Sequence, residues 1–214
     1  MNVSKKIFFN KKILIYGIGK SWISSYHFLK KNNHIYLYDD DQKNLKKKSC
    51  KKLLLAKNQI HQIKFDYIII SPGINFNNCK LKNYLKKKKN IIVTDLDIFY
   101  SHYSKNKIIT VTGTNGKSTT VKLLHKILKK HKKDSRLCGN IGNPILLEKN
   151  VSKKTIFVIE ASSYQIDYSK IFKTNYAIIL NISPDHLERH NSIKKRFCIY
   201  KFSKRIFNKS NKNQ

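Results

Sequence analysis

An α/β fold built from two successive parallel sheets is the class the sequence predicts, and three observations predict it. Short apolar runs of strand length alternate with longer segments of helical spacing along the 214 residues. Two of these runs lead into glycine turns followed by helices: Ile13–Tyr16 into Gly17-Ile18-Gly19, and Ile108–Val111 into Gly113-Thr114-Asn115-Gly116. Acidic and amide residues stand at the strand ends, which in parallel α/β sheets share one ligand-binding edge.

Taken in order, Ile13–Tyr16 predicts a buried first strand and residues 21–31 a helix. His34–Tyr38 predicts a second strand, ending at Asp39-Asp40-Asp41. After a Lys-rich segment, Tyr67–Ile70 predicts a third strand closed by Ser71-Pro72-Gly73, residues 78–88 a helix, and Ile91–Val93 a fourth strand. This is a Rossmann-like N-terminal parallel sheet, assigned to residues 1–94. Residues 95–102 predict a linking helix, and a second α/β unit follows over 95–214. Its strands are Ile108–Val111, Ile156–Ile159 and Ala177–Leu180; its helices are 117–130 and 193–207, and the polar residues 208–214 predict a frayed end.

Apolar residues make up 40% of the chain and charged residues 27%, which excludes disordered and fibrous classes. Lys plus Arg is 45 against 12 Asp plus Glu, a net charge of +33. Only Arg136, Arg189, Arg196 and Arg205 are arginines; the other 41 cations are lysines spread along the chain. Base readers and phosphate clamps favour the bidentate guanidinium, so the excess reads as compositional bias at solvated positions, and no specific nucleic-acid partner is expected. No run approaches the roughly 18 residues of a membrane span, and no signal peptide is read. Cys50, Cys79, Cys138 and Cys198 lack CxxC spacing and read as free thiols of a reducing cytoplasm.

The strongest chemical signal is the run Thr112-Gly113-Thr114-Asn115-Gly116-Lys117-Ser118-Thr119 between a strand and a helix. Backbone N–H groups at a helix start face phosphates, a lysine adds charge, and a Ser hydroxyl suits magnesium. The strict eight-residue phosphate loop would require glycine where Val111 stands. Gly17-Ile18-Gly19 starts like a dinucleotide fingerprint, with Asp39 placed for a ribose hydroxyl, but Trp22 occupies the third glycine's position. A structural turn and a ligand site both remain open there, and a standard NAD site is disfavoured. Glu160, one of three glutamates, ends a strand, and Asn181-Ile182-Ser183-Pro184-Asp185-His186 follows the next. A carboxylate and an imidazole near a phosphate loop are magnesium-ligand candidates.

Five blocks occur together. They are Ser71-Pro72-Gly73-Ile74, the 112–119 loop, Gly139-Asn140-Ile141-Gly142-Asn143-Pro144, Glu160-Ala161-Ser162-Ser163-Tyr164-Gln165 and Asn181 through Arg189. In this order and spacing they resemble the Mur ligases of peptidoglycan synthesis, and among them the D-glutamate-adding members. The resemblance covers nearly the whole chain. It implies a central ATPase domain that is incomplete here, with the C-terminal amino-acid-binding domain absent. The reaction implied is ATP-dependent joining of D-glutamate to UDP-N-acetylmuramoyl-L-alanine through an acyl phosphate.

Carried over residue by residue, the resemblance assigns ATP binding to Gly113, Thr114, Asn115, Gly116, Lys117, Ser118 and Thr119. It assigns the UDP substrate to Gly17, Gly19, Ser21, Asp39, Ser71, Pro72, Gly73, Asn140 and Ser162. Two Mg2+ ions would be held by Ser118, Glu160, His186 and a carbamylated lysine, for which Lys201 fits best and Lys204 is the alternative. Lys117, Glu160, His186 and Lys201 form the implied catalytic set. Trp22 replaces a family glycine, and Asp41 stands near a basic uracil contact of the family. Three readings follow: a ligase portion that needs a second polypeptide to supply the missing half, a non-catalytic nucleotide-sugar and ATP-binding remnant, or a basic nucleic-acid binder.

Overall fold

The computed structural model describes residues 7–19, 21–41 and 51–181. Within them lie β1 (Lys12–Tyr16), α1 (Trp22–Leu29), β2 (His34–Tyr38), α2 (Lys57–Ile60), β3 (Tyr67–Ile70), α3 (Lys82–Lys87) and β4 (Ile92–Val93). These are followed by α4 (Asp95–Tyr103), β5 (Lys107–Thr112), α5 (Lys117–Lys130), β6 (Ser135–Gly139), β7 (Ile156–Glu160), α6 (Ser163–Tyr168) and β8 (Tyr176–Ile179). Single 3₁₀ turns lie at Lys51–Leu53, Lys89–Ile91 and Ile145–Leu147.

The strands form two four-stranded sheets, ordered β2-β1-β3-β4 and β6-β7-β5-β8. Every recorded pairing is parallel. Parallel strands are covered on both faces, which is why β1 reads as an unbroken apolar run rather than an alternation. Its residues nevertheless part by face. Ile13 and Ile15 belong to one apolar cluster, Leu14 and Tyr16 to another. The same division holds in β7, where Phe157 and Ile159 face one cluster and Val158 packs with Val111 and Val121 in a third.

The cluster holding Ile13 and Ile15 also holds Phe157 and Ile159, so the inner faces of the two sheets bury into one another. Helix α4 supplies the filling through Leu96, Ile98, Phe99 and Tyr100. Phe99 and Phe157 meet edge to face at 4.7 Å between ring centroids. Trp22 of α1 and Leu146 of the 145–147 turn belong to the same cluster. Ser101 and Asp97 are buried on α4, and each is hydrogen-bonded.

Most elements fall within a residue or two of their sequence-based bounds. The exceptions have physical causes. Residues 78–88 carry a helix only over Lys82–Lys87, and β4 begins at Ile92 because the preceding turn is 3₁₀. Strand β6 and the short helices α2 and α6 have no counterpart in the sequence-based reading. The Lys-rich stretch 42–50, the helix expected at 193–207 and the tail 208–214 lie outside the described residues, as do Cys50 and Cys198. Cys79 is half-buried and Cys138 buried, both as free thiols. Among the described residues no helix is long and apolar enough to cross a membrane.

Candidate functional site

The order of the first sheet makes a switch point. The chain leaves β1 for β2 on one side and reaches β3 on the other, so the turns after β1 and β3 open a crevice at the carboxyl edge. Gly17, immediately after β1, has φ +97°, and a Cβ there would come within 2.8 Å of Ser71 Cβ and Ile74 Cγ1. Only a glycine lets the two turns approach this closely. Ser71 fastens them, its backbone N–H donating to the Tyr16 carbonyl at 2.9 Å and its hydroxyl to the Gly17 carbonyl at 2.6 Å.

Asp39 closes the third side. Its carboxylate accepts the backbone N–H groups of Ile18 and Asp41. Asp40 is turned the other way. It accepts the Tyr16 hydroxyl at 2.7 Å and the Lys80 N–H at 3.0 Å, binding the segment after β3 to the end of β2. Burial, and then the bond to Asp40, hold the Tyr16 phenol far above its ordinary range. Burial, with Asp40 nearby, pushes Tyr38 up to about 12. Both phenols therefore stay neutral donors at physiological pH.

These turns form one wall of a cleft of about 530 Å³. The structure brings eight of the nine residues assigned to the UDP substrate to its lining: Gly17, Gly19, Ser21, Asp39, Ser71, Pro72, Gly73 and Asn140. Ser162 is not among them. Its hydroxyl accepts the Gln165 N–H at 3.3 Å and caps α6. The opposite wall comes from the second sheet, with Gly139 ending β6, Asn140, Gly142 and Pro144 after it, and Gln165 of α6. Asp95 at the start of α4 lines the cleft as well, and its carboxylate accepts the Gln165 amide at 3.1 Å. Burial pushes the Asp95 carboxyl above the usual carboxylate range, against the pull of the Gln165 amide and the Leu96 N–H.

Asp95 and Gln165 were not singled out from the sequence as cleft residues. Gln165 lay inside a recognised block, but nothing in a linear reading joins it to a residue 70 positions away. Trp22 is 4% exposed inside the shared cluster, and it is not part of the cleft lining. Asp41 is exposed at the end of the β2 turn.

A second set of groups gathers on the carboxyl edge of the second sheet. The loop after β5 runs through Gly113 at φ +137° and Gly116 at φ +83°, and Gly116 caps α5. Thr119 follows in the first turn of α5. Lys117 folds its ammonium back over the loop, donating to the carbonyls of Gly113 at 2.9 Å and Thr114 at 2.6 Å. Thr114 and Asn115 donate their N–H groups to the side chain of Asn181, just past β8, at 3.2 and 2.8 Å.

Register carries Glu160 to this edge, since it pairs with Val111 of β5 and with Gly139 of β6. Glu160 is 6% exposed, and its carboxylate accepts the Ser118 hydroxyl at 2.8 Å. Gly139 is required beside it, because a Cβ there would lie 2.3 Å from the Glu160 carbonyl oxygen. The Asn140 N–H donates to that same carbonyl at 3.0 Å, so the cleft wall and the edge carrying the 113–116 loop share a strand end.

A hydroxyl and a carboxylate oxygen side by side next to a helix start are hard donors of the kind magnesium takes. They fit that ion as a partial ligand set. Among the described residues no group of three His, Cys, Asp or Glu side chains gathers around a common point. His186, Lys201 and Lys204 lie outside the described residues.

Residues 111–214 match the family described as Mur ligase middle domain. The chain is 37% identical over 197 residues to the UDP-N-acetylmuramoylalanine--D-glutamate ligase of Rickettsia bellii, spanning 90% of this chain and 42% of that protein. Against the ligase of the same name from Caldicellulosiruptor saccharolyticus it is 38% identical, over 85% of this chain and 42% of the relative. Against that of Elusimicrobium minutum it is 35% identical over 96% and 50% respectively. The chain thus spans about half or less of the length of these relatives.

Among solved structures, the fold is similar to the UDP-N-acetylmuramate:L-alanyl-gamma-D-glutamyl-meso-diaminopimelate ligase from Neisseria meningitides. That match has a TM-score of 0.55 and 15% identity, over 96% of this chain and 72% of that one. It is also similar to the UDP-N-acetylmuramate-alanine ligase from Thermotoga maritima, at TM-score 0.52 and 22% identity over 92% and 48%.

Proposed function

The chain belongs to the Mur ligase family, and on that premise we propose that it carries the nucleotide-sugar and ATP-phosphate sites of a D-glutamate-adding ligase. The substrate is UDP-N-acetylmuramoyl-L-alanine, held by residues 1–94 together with the loops after β6 and β7, while residues 95–214 supply the ATP side. The observation that supports this reading most is the adjacency of the two sites. Asn140 lines the cleft and hydrogen-bonds the carbonyl of Glu160, whose carboxylate holds Ser118 of the phosphate loop.

The γ-phosphoryl group of ATP passes to the terminal carboxylate of the UDP substrate, releasing ADP and leaving an acyl phosphate. The D-glutamate amine then attacks the carbonyl, phosphate leaves and the amine loses a proton. Both steps crowd anions together, so the work of the protein is placement and charge compensation. Lys117 faces the β- and γ-phosphates. The N–H groups at the start of α5 donate to phosphate oxygens, which the helix dipole also favours. Ser118 and Glu160 would hold one Mg2+, whose contribution is to neutralise phosphate charge; His186 and a carbamylated Lys201 complete the assigned metal set. The Gly17 and Ser71 turns line the diphosphate, and Asp39 faces the ribose. Gln165, fixed by Asp95, and Asn140 face the muramoyl portion, with Ser162 beside them. The surroundings are cytoplasmic, where ATP and the UDP substrate are made.

Calorimetry on the intact chain tests this reading. ATP and UDP-N-acetylmuramoyl-L-alanine should each bind alone. Lys117→Ala should weaken ATP binding at least roughly tenfold, as expected for loss of a charge-assisted contact worth about 1.5–3 kcal/mol, with the UDP ligand unaffected. Phosphate release with D-glutamate should appear when a second polypeptide carrying the unmatched part of the relatives is added. Failure of both ligands to bind would overturn the proposal.

A further inference from the structure

We propose that Asn181 is a positioning residue for the phosphate loop. Its carboxamide holds residues 114–115 in the bend that aims the remaining loop and helix-start N–H groups at a phosphate. This rests on the phosphate-loop reading above and assigns a role that the reading leaves empty.

The side chain of Asn181 pairs with the loop backbone from both ends of its amide. Its Oδ1 accepts the Thr114 N–H at 3.2 Å and the Asn115 N–H at 2.8 Å, and its Nδ2 donates to the Asn115 carbonyl at 3.1 Å. The Asn181 backbone carbonyl accepts the Thr114 N–H as well, at 3.0 Å. The held residues lie between Gly113 and Gly116, both at positive φ, so each end of this short stretch is a free pivot.

Gly113 also packs directly against Asn181, where a Cβ would meet its backbone oxygen and nitrogen at 3.1 and 3.2 Å. Asn181 is itself anchored. Strand β8 pairs with β5 as far as Thr112 opposite Ile179, and the Leu180 N–H extends the ladder to the Thr112 carbonyl at 3.1 Å. The strand that launches the loop and the residue that holds it are therefore in register. A loop fixed before its ligand arrives loses less conformational freedom on binding, and its affinity rises accordingly.

The same contacts admit an opposite role, in which Asn181 blocks two donors that a phosphate must win back. The two roles differ in sign. In the intact 214-residue chain, Asn181→Ala should weaken binding of ATP and of inorganic pyrophosphate about tenfold. Amide hydrogen exchange at Thr114 and Asn115 should accelerate, and the UDP ligand in the cleft should bind as before. Asn181→Asp keeps the acceptors but loses the Nδ2 donor and sets a negative charge beside the phosphate. It should bind ATP more weakly than the alanine variant, with the deficit shrinking as salt is raised. Unchanged or tighter ATP binding by Asn181→Ala, in a chain whose wild type binds ATP, would overturn this inference alone. A wild type that binds neither ATP nor pyrophosphate would overturn the phosphate-loop reading and this inference with it.

Discussion

Gly17 cannot take a side chain without moving its neighbours. Alanine there would combine a positive φ with a Cβ 2.8 Å from two side-chain carbons of the 71–74 turn. The expected loss is about 1–3 kcal/mol of stability, from backbone strain of that size, together with weaker binding of the UDP ligand. Urea unfolding and calorimetry check the two parts.

His125 offers a pH test. Its imidazole contacts the Ser135 hydroxyl at 2.9 Å, and burial first, with Lys129 second, lowers its pKa from the ordinary 6.5 against a small opposing pull from Glu148. A histidine depressed in this way binds fewer protons folded than unfolded. Its contribution is intact above about pH 6.5 and is lost as pH falls through that value toward the folded pKa. The urea midpoint of the wild type should drop more between about pH 8 and about pH 5.5 than that of His125→Asn. An equal drop in both would remove His125 as the cause.

At this scale the phosphate loop, Glu160 and the Ser71-Pro72-Gly73 turn were legible in sequence because each sits directly after an apolar run. The Asp95–Gln165 pair was not. Its meaning lies in a contact across 70 residues, and Asp95 taken alone is an ordinary acid in the first turn of a helix.

Helix α4 shows how an element is fixed by one buried group. Asp97 is fully buried. One carboxylate oxygen accepts the Thr94 N–H at 3.0 Å and caps the start of the helix, while the other accepts the N–H groups of Lys170, Ile171 and Phe172 at 2.8, 2.8 and 3.0 Å. Burial pushes its carboxyl up while these four donors pull it down. Asp97→Ala leaves four backbone donors without their acceptor, and it should cost on the order of 3–5 kcal/mol, the range for breaking a buried charged network. Asp97→Asn, which keeps one acceptor oxygen, should cost less. Thermal unfolding of the pair measures the difference, and equal costs would show that the single oxygen kept by asparagine restores nothing.

The elements missed in sequence are those whose identity is conferred by neighbours. Ser135–Gly139 holds only two apolar residues, Leu137 and Cys138, and is a strand because it lies in register against Ile156–Glu160. The six residues of α6 are too few for a helical period. Their one local signature is the reciprocal cap between Ser162 and Gln165.

Across the whole molecule the two sheets depend on one apolar cluster. Phe157 of the second sheet is fully buried and meets Phe99 at 4.7 Å and Tyr103 at 5.4 Å between ring centroids. Phe157→Ala should cost about 3–5 kcal/mol. The loss should be felt in the first sheet as well, because Trp22, the single tryptophan, lies in the same cluster. Tryptophan fluorescence and far-UV circular dichroism should therefore shift to the same lower denaturant midpoint. A Trp22 transition unmoved by the substitution would show that the sheets unfold separately. Fold class was legible at this scale because strand and helix alternation survives the lysine bias. The shared cluster was not, since no local pattern states which faces meet.

The order β6-β7-β5-β8 also constrains how the chain reaches its native state. β5 and β6 are close in sequence yet never touch, because β7 lies between them. Until residue 160 is in place, β6 has no partner and β5 lacks its inner one, although loop and helix α5 are already present. Assembly of this sheet therefore rests on pairings distant in sequence, of the kind that slows folding. The contacts that hold residues 114–115 add a further distant partner, Asn181, just past β8. The bend of the loop after β5 as described therefore needs the chain through Asn181.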